Sequence, residues 1–123
     1  MQVDTAEEAA HLLGSALGSG PGERLATAYL DGGRRLLHVS VVEGNDASAP
    51  LPIRVILETG LRLRATGLIL AHNHPSGDAR PSEADLLATR QLSDAARALG
   101  IRLHDHLIFA GDGCRSMRAS GLL

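Results

Sequence analysis

The 123-residue chain is poor in aromatic residues and cysteine, and it contains no long apolar run. Aromatic residues make up only 2% of the sequence, so the core must be built from aliphatic side chains. The single cysteine, Cys114, excludes an intrachain disulfide and a zinc finger of paired thiols, which suits a reducing compartment. No apolar stretch approaches the roughly 18 residues of a transmembrane helix, and the acidic start does not resemble a signal peptide. We therefore expect a cytoplasmic protein with no membrane association.

Positive charge is not in excess either. Twelve basic and fourteen acidic side chains give a net charge of −2, and the arginines are interspersed with acids. A nucleic-acid-binding surface usually combines a basic stripe with aromatic side chains that stack on bases. The composition therefore argues against a nucleic acid partner.

The apolar pattern predicts an α/β fold in one domain over residues 1–123, of which residues 1–22 form an N-terminal helix and a Gly-rich turn. The predicted helices cover residues 5–17, 51–64 and 82–99. The predicted strands cover residues 24–30, 34–42, 66–71 and 101–110, and a polar loop is predicted at 43–50. Asp31-Gly32-Gly33 is a hairpin signal between the first two strands. Residues after 110 are expected to form a Gly-rich turn and a short tail.

The most informative segment is HNHPSGDARPSEAD, at residues 72–85. In a strand, residues i and i+2 point to the same side, so His72 and His74 can converge while Asn73 faces away. Asp85 follows in the first turn of the predicted helix. Two imidazoles and one carboxylate make a three-ligand zinc site with one position open for water, which is typical of catalytic zinc. The alternative is that Ser82 and Asp85 only cap the helix, which leaves the two converging histidines unexplained.

The runs AHNHPSGDARPSEADLLATRQL and LHDHLIFAGDG resemble the RadC branch of the JAMM (MPN+) zinc metallopeptidase superfamily. The similarity extends from Glu23 to the C-terminus. This resemblance implies a single compact JAMM/MPN-like domain with cytidine-deaminase-like layering, in which helices flank a mixed sheet. It also implies Zn²⁺ bound by His72, His74 and Asp85, and hydrolysis of a peptide or isopeptide bond in a peptide or protein substrate.

The resemblance further implies a glutamate from an earlier strand that activates the zinc-bound water. Glu23, in the segment ERLATAYLD, is the best match, with Glu43 and Glu58 as fallback candidates. Such a carboxylate would take the proton of the water and pass it to the leaving amine. The alternative is that Glu23 is a solvated residue at the start of a strand. By the same resemblance, Ser82 would donate a hydrogen bond to the developing oxyanion.

Two other functions stay open beside the zinc-dependent hydrolase. One is a DNA-associated or repair accessory domain, and the other is a zinc-binding domain without independent activity. His104-Asp105-His106 is a second pair of histidines in which both rings would share one strand face. A second metal site there lacks an obvious third ligand nearby in the sequence. The resemblance covers Asp105 and His106 and suggests that they orient a ligand histidine; the alternative is simply a strand with a polar face. An exposed sheet edge would allow a homodimer.

Overall fold

The computed structural model describes residues 1–44, 51–111 and 113–123. Within these ranges, three helices flank one mixed sheet of five strands. The helices are α1 (Ala6–Leu17), α2 (Ile53–Arg62) and α3 (Glu83–Ala98). The strands are β1 (Arg24–Leu30), β2 (Leu36–Glu43), β3 (Gly67–Asn73), β4 (Arg102–Ala110) and β5 (Gly113–Ser116). The predicted α/β fold with a mixed sheet flanked by helices is confirmed.

Strand β3 is the centre of the sheet, whose strand order is β2-β1-β3-β4-β5. It pairs antiparallel with β1 and parallel with β4. Parallel neighbours need a crossover connection, and α3 provides it between β3 and β4. The remaining pairs, β1 with β2 and β4 with β5, are antiparallel.

The alternation of side chains along β3 decides which layer each residue faces. Ile69 and Ala71 belong to the apolar cluster formed with α1. Leu68 and Leu70 belong to the cluster on the other side, formed with α2 and α3. His72 continues the second row because strand side chains repeat every two residues. The sheet therefore presents His72 to α3, the helix that carries Asp85.

Most element bounds differ from the prediction by one or two residues, and two differences have a structural cause or consequence. β2 begins at Leu36 because the hairpin turn extends through Arg34, which has φ 60° and donates its backbone N–H to the Asp31 carbonyl at 3.0 Å. The Asp31 carboxylate also accepts the backbone N–H of Arg35 at 2.8 Å. The expected tail contains a further strand, β5, which was not predicted.

Residues 45–50 of the predicted polar loop lie outside the described residues. None of the described helices is sufficiently long and apolar to cross a membrane.

Candidate metal centre

Two imidazoles meet at the C-terminal end of β3. The Nε2 atoms of His72 and His74 are 2.7 Å apart, and the two side chains are only 9% and 14% exposed. His74 lies just beyond β3, but its backbone N–H still donates to the Phe109 carbonyl of β4 at 2.7 Å. Pro75 follows and has no N–H to continue the ladder, so the chain leaves the sheet immediately after the second histidine.

The carboxylate of Asp85 faces both rings from the first turn of α3. Its Oδ2 atom lies 3.3 Å from Nε2 of His74 and 3.7 Å from Nε2 of His72. The same oxygen accepts the backbone N–H of Ser82 at 2.9 Å. In return, Oγ of Ser82 accepts the backbone N–H of Asp85 at 3.0 Å, which completes a capping box. The cap thus holds the carboxylate beside the two imidazoles, so capping and metal binding are compatible.

The environment of Asp85 favours its ionised form. Burial alone would raise the pKa of this carboxyl group. Interaction with the His72 imidazole and the hydrogen bond from the Ser82 amide outweigh burial, and they lower the pKa well below its usual range. A carboxylate that stays ionised is the form that binds a cation.

Glu23 approaches the same cluster from the start of β1. One carboxylate oxygen of Glu23 and one ring nitrogen from each of His72 and His74 all lie within 4.8 Å of one another. These three side chains therefore form a group that could hold a metal ion, as His72, His74 and Asp85 also do by their spacing. The register explains the approach, since Leu25 is paired with His72 across the sheet. The fallback candidate Glu58 instead forms an exposed ion pair with Arg54 at 2.9 Å.

The spacing of the donor atoms fits a small divalent ion. In a tetrahedral zinc site with Zn–N distances of about 2.0–2.1 Å, ligand atoms are about 3.3 Å apart. The three separations among His72, His74 and Asp85 are 2.7, 3.3 and 3.7 Å, which bracket this value. Imidazole nitrogen and carboxylate oxygen are also the donor types that zinc accepts. The spacing and the donor types of these side chains therefore match those of a site for a divalent ion.

The outer nitrogens of both imidazoles have partners that orient the rings. Nδ1 of His74 lies 2.8 Å from the Asp78 carbonyl, which can only accept, so this nitrogen carries the proton and Nε2 is left to bind a metal. Nδ1 of His72 lies 2.6 Å from Nε2 of His106. Nδ1 of His106 in turn lies 2.8 Å from Oγ1 of Thr89 on α3. If His72 binds through Nε2, its Nδ1–H donates to His106, whose own Nδ1–H donates to Thr89.

His106 is neutral in this chain of hydrogen bonds. Burial, reinforced by the neighbouring His72, lowers the pKa of His106 to about 3. A neutral ring can accept at one nitrogen while donating from the other. His106 therefore occupies the ring-orienting position that the family resemblance suggested for this segment.

The expectation that His104 and His106 share a strand face is wrong. The register between β3 and β4 shifts, so that Leu68 pairs with Leu103 but Ile69 pairs with Asp105. This irregularity places one extra residue on β4 and turns the two rings apart. Nδ1 of His104 contacts the Arg34 guanidinium at 3.1 Å, and the two histidines have no common metal position. Burial, together with nearby arginines, lowers the pKa of His104 to about 4.

Two residues of the site had no assigned role in the sequence analysis. Thr89 carries no motif, and the only hint is a polar residue on the buried face of α3, where it is 1% exposed. Asn73 was expected only to face away from the metal. Its side chain does so, but it makes two hydrogen bonds to the backbone on either side of Glu23.

Comparison with known proteins identifies the family of the chain. Residues 3–122 match the model of the RadC-like JAB domain. A UPF0758 protein of Rhodobacter capsulatus is 41% identical over 112 residues, covering 89% of this chain and 51% of the relative. A UPF0758 protein of Bordetella avium (strain 197N) is 43% identical over 110 residues, covering 89% and 49%. The chain thus spans about half the length of these curated relatives, whose names state no activity. Because the family model covers nearly the whole sequence, the chain belongs to the RadC-like JAB domain family.

Proposed function

We propose that this domain is a zinc-dependent hydrolase that cleaves a peptide or isopeptide bond in a peptide or protein substrate. The observation that supports it is the convergence of two imidazole nitrogens and the Asp85 carboxylate at metal-ligand spacing, with the Glu23 carboxylate beside them. Three protein ligands and an acidic neighbour are what a hydrolytic zinc site requires.

Each side chain has a distinct task in this proposal. His72, His74 and Asp85 hold the ion through Nε2, Nε2 and a carboxylate oxygen. Zinc supplies a Lewis acid that polarises the scissile carbonyl and makes a water molecule acidic near neutral pH. Glu23 accepts the proton of the attacking water and delivers it to the leaving nitrogen. The hydroxyl proton of Ser82, which the capping bond does not use, donates to the developing oxyanion.

The way in which each carboxylate is held favours Asp85 as the ligand and Glu23 as the proton acceptor. Oδ2 of Asp85 lies 3.3 Å from the nearer imidazole nitrogen, which is the spacing of two atoms bound to one ion. The Glu23 carboxylate lies within 4.8 Å of the same imidazole nitrogens, but no backbone amide of the described residues holds it there. Exchanging the two roles would place the less tightly held carboxylate on the metal.

Metal analysis by mass spectrometry tests the ligand set. Purified protein should contain about one zinc per chain, and the His74→Ala and Asp85→Ala variants should lose it. Glu23→Gln should keep its zinc. If Glu23→Gln loses zinc as completely as Asp85→Ala, then Glu23 is a ligand and not the proton acceptor. Absence of metal after zinc reconstitution of the unmodified protein would leave Ser82 and Asp85 with only their capping role.

Hydrolysis is tested with an internally quenched peptide library and a lysine-isopeptide-linked peptide. Loss of positioned proton transfer in Glu23→Gln should lower kcat/KM by about 10²–10⁴-fold. Glu58→Gln is the matched control, because Glu58 lies in an exposed ion pair on α2. No zinc-dependent cleavage of either probe, together with salt-sensitive DNA binding by the same protein, would favour the DNA-associated alternative.

A further inference from the structure

Asn73 stands between the two histidines, but its side chain faces the segment that carries Glu23. Oδ1 of Asn73 accepts the backbone N–H of Arg24 at 2.6 Å. Nδ2 of Asn73 donates to the backbone carbonyl of Gly22 at 2.8 Å. These two backbone groups flank Glu23, so one carboxamide holds the chain on both sides of that residue. We call these two hydrogen bonds of Asn73 the clamp.

Regular strand pairing between β1 and β3 ends where this contact begins. The final pair of the ladder joins Leu25 and His72. Gly22 enters β1 from a Gly-rich turn with φ 97°, which does not continue the strand. The Asn73 side chain therefore binds two backbone groups just beyond the last pair of the ladder, where Pro75, farther along the chain, has no N–H to offer the Gly22 carbonyl.

The opposite side of Glu23 is held by the residue that follows β2. The backbone N–H of Gly44 donates to the Glu23 carbonyl at 2.8 Å. The Arg24 guanidinium also donates to the carbonyls of Leu17 at 2.7 Å and Pro21 at 3.2 Å, which ties the preceding turn to the end of α1. Among the described residues, no hydrogen bond engages the Glu23 carboxylate itself. Its position at the cluster therefore depends on how firmly its backbone is held.

We propose that Asn73 is the positioning residue of Glu23. In this proposal, the end of β3 supplies two metal ligands, His72 and His74, and the residue between them positions the proton acceptor. The inference rests on the proposed role of Glu23. A displacement of about 1 Å in a reacting group can cost about 100-fold in rate, so loss of the clamp should affect hydrolysis more than metal binding.

Amide hydrogen exchange in the metal-free protein tests the clamp without any need for activity. In Asn73→Ala, the Arg24 amide loses its acceptor and should exchange about tenfold faster, while the Ala28 amide in the interior of β1 is unchanged. Gln2→Ala is the matched control, since it removes another carboxamide-to-carbonyl bond, to Gly33 at the opposite end of β1. An unchanged Arg24 exchange rate in Asn73→Ala would overturn the proposal.

A double-mutant cycle tests whether the clamp acts through Glu23. Asn73→Ala should lower kcat by about 10–100-fold, with KM and zinc affinity within about threefold of the unmodified protein. In the Glu23→Gln background, the same substitution should have no further effect on kcat. Equal losses in both backgrounds, or a parallel loss of zinc, would show that Asn73 supports the site in general and not Glu23 in particular.

The exchange experiment and the double-mutant cycle together separate this inference from the proposed function. If the unmodified zinc protein cleaves neither probe, the proposed hydrolase activity fails, and the exchange rate of the Arg24 amide alone decides whether Asn73 is the clamp. If the protein is active but the exchange rate or the cycle fails, the proposed function stands without Asn73 as the positioning residue.

Discussion

The buried hydroxyl of Thr89 should influence zinc affinity although it cannot touch the ion. Thr89 and His106 are 1% and 3% exposed, and Oγ1 lies 2.8 Å from Nδ1 of His106. Valine has nearly the shape of threonine but lacks the oxygen. In Thr89→Val, Nδ1–H of His106 therefore loses its acceptor in a place where water cannot easily replace it. An unsatisfied buried donor of this kind costs about 1–3 kcal/mol in the free energy of unfolding.

The consequence for the metal follows from the tautomer of His106. Without Thr89, the His106 proton is better placed on Nε2, where it faces Nδ1 of His72 at 2.6 Å. His72 would then carry its own proton on Nε2, the atom that must be free to bind zinc. Loss of such an orienting partner typically lowers metal affinity by about 10–100-fold.

Competition with a chromogenic chelator at fixed pH measures this effect directly. Thr89→Val should bind zinc about 10–100-fold more weakly than the unmodified protein. Thr89→Ser keeps the hydroxyl and should retain the affinity, although the lost methyl group destabilises the fold by about 1 kcal/mol. Equal zinc affinity in the valine variant and the unmodified protein would refute the reasoning, because His72 would then be oriented without Thr89.

Three further predictions concern stability, pH and the helix cap. Gly67→Ala should destabilise the fold by about 1–3 kcal/mol in urea, because the new Cβ would lie 2.5 Å from Nε2 of His104; Gly32→Ala, where the nearest atom is 3.9 Å away, is the control. The pKa of His104 is about 4 in the folded protein, below its usual value of about 6.5. As pH decreases, the unfolded state therefore binds the proton first, and the free energy of unfolding should fall between pH 6.5 and pH 4. Because His104 is half-exposed, we expect only about 1–2 kcal/mol, and urea titrations of His104→Gln should show a correspondingly flatter pH dependence. Ser82→Ala should lose the helix cap, which is worth about 1 kcal/mol, and should also lose activity. Ser82→Asp should keep the cap but lacks the hydroxyl that donates to the oxyanion. A variant that keeps its stability while kcat falls therefore separates the two roles. Full activity in Ser82→Asp would exclude the oxyanion role.

Local pattern was sufficient to predict which side chains converge at the end of β3. His72 and His74 end a buried apolar strand, and strand periodicity alone places them on one side. Asp85 begins a helix that returns across the same strand, so its position follows from the S-x-x-D signal and the crossover between β3 and β4. These predictions needed only short-range geometry, and that is why they could be made from the sequence alone.

The supporting contacts depend on pairings that are distant in the sequence. The bond between His72 and His106 joins residues 34 positions apart, and those between Asn73 and the Gly22–Arg24 segment span about 50. No periodicity carries that information. The register shift that separates His104 from His106 is equally invisible, because β4 has no glycine or proline to mark it. β5 was missed because its four residues, Gly113–Ser116, lack the apolar alternation of a half-buried strand.

The two carboxylates of the site are held in different ways, and this difference bears on their chemistry. Asp85 sits in the first turn of a capped helix, where the Ser82 amide fixes one of its oxygens beside both imidazoles. A metal ligand benefits from such restraint because its side chain is already in the binding geometry before the ion arrives. Glu23 is instead held through its backbone, by Asn73 on one side and Gly44 on the other, while its carboxylate has no partner among the described residues. A group that takes a proton from water and gives it to a leaving nitrogen must reach two positions in one cycle. A carboxylate held only through its backbone can meet that need, whereas an aspartate whose oxygen is fixed in a helix cap cannot.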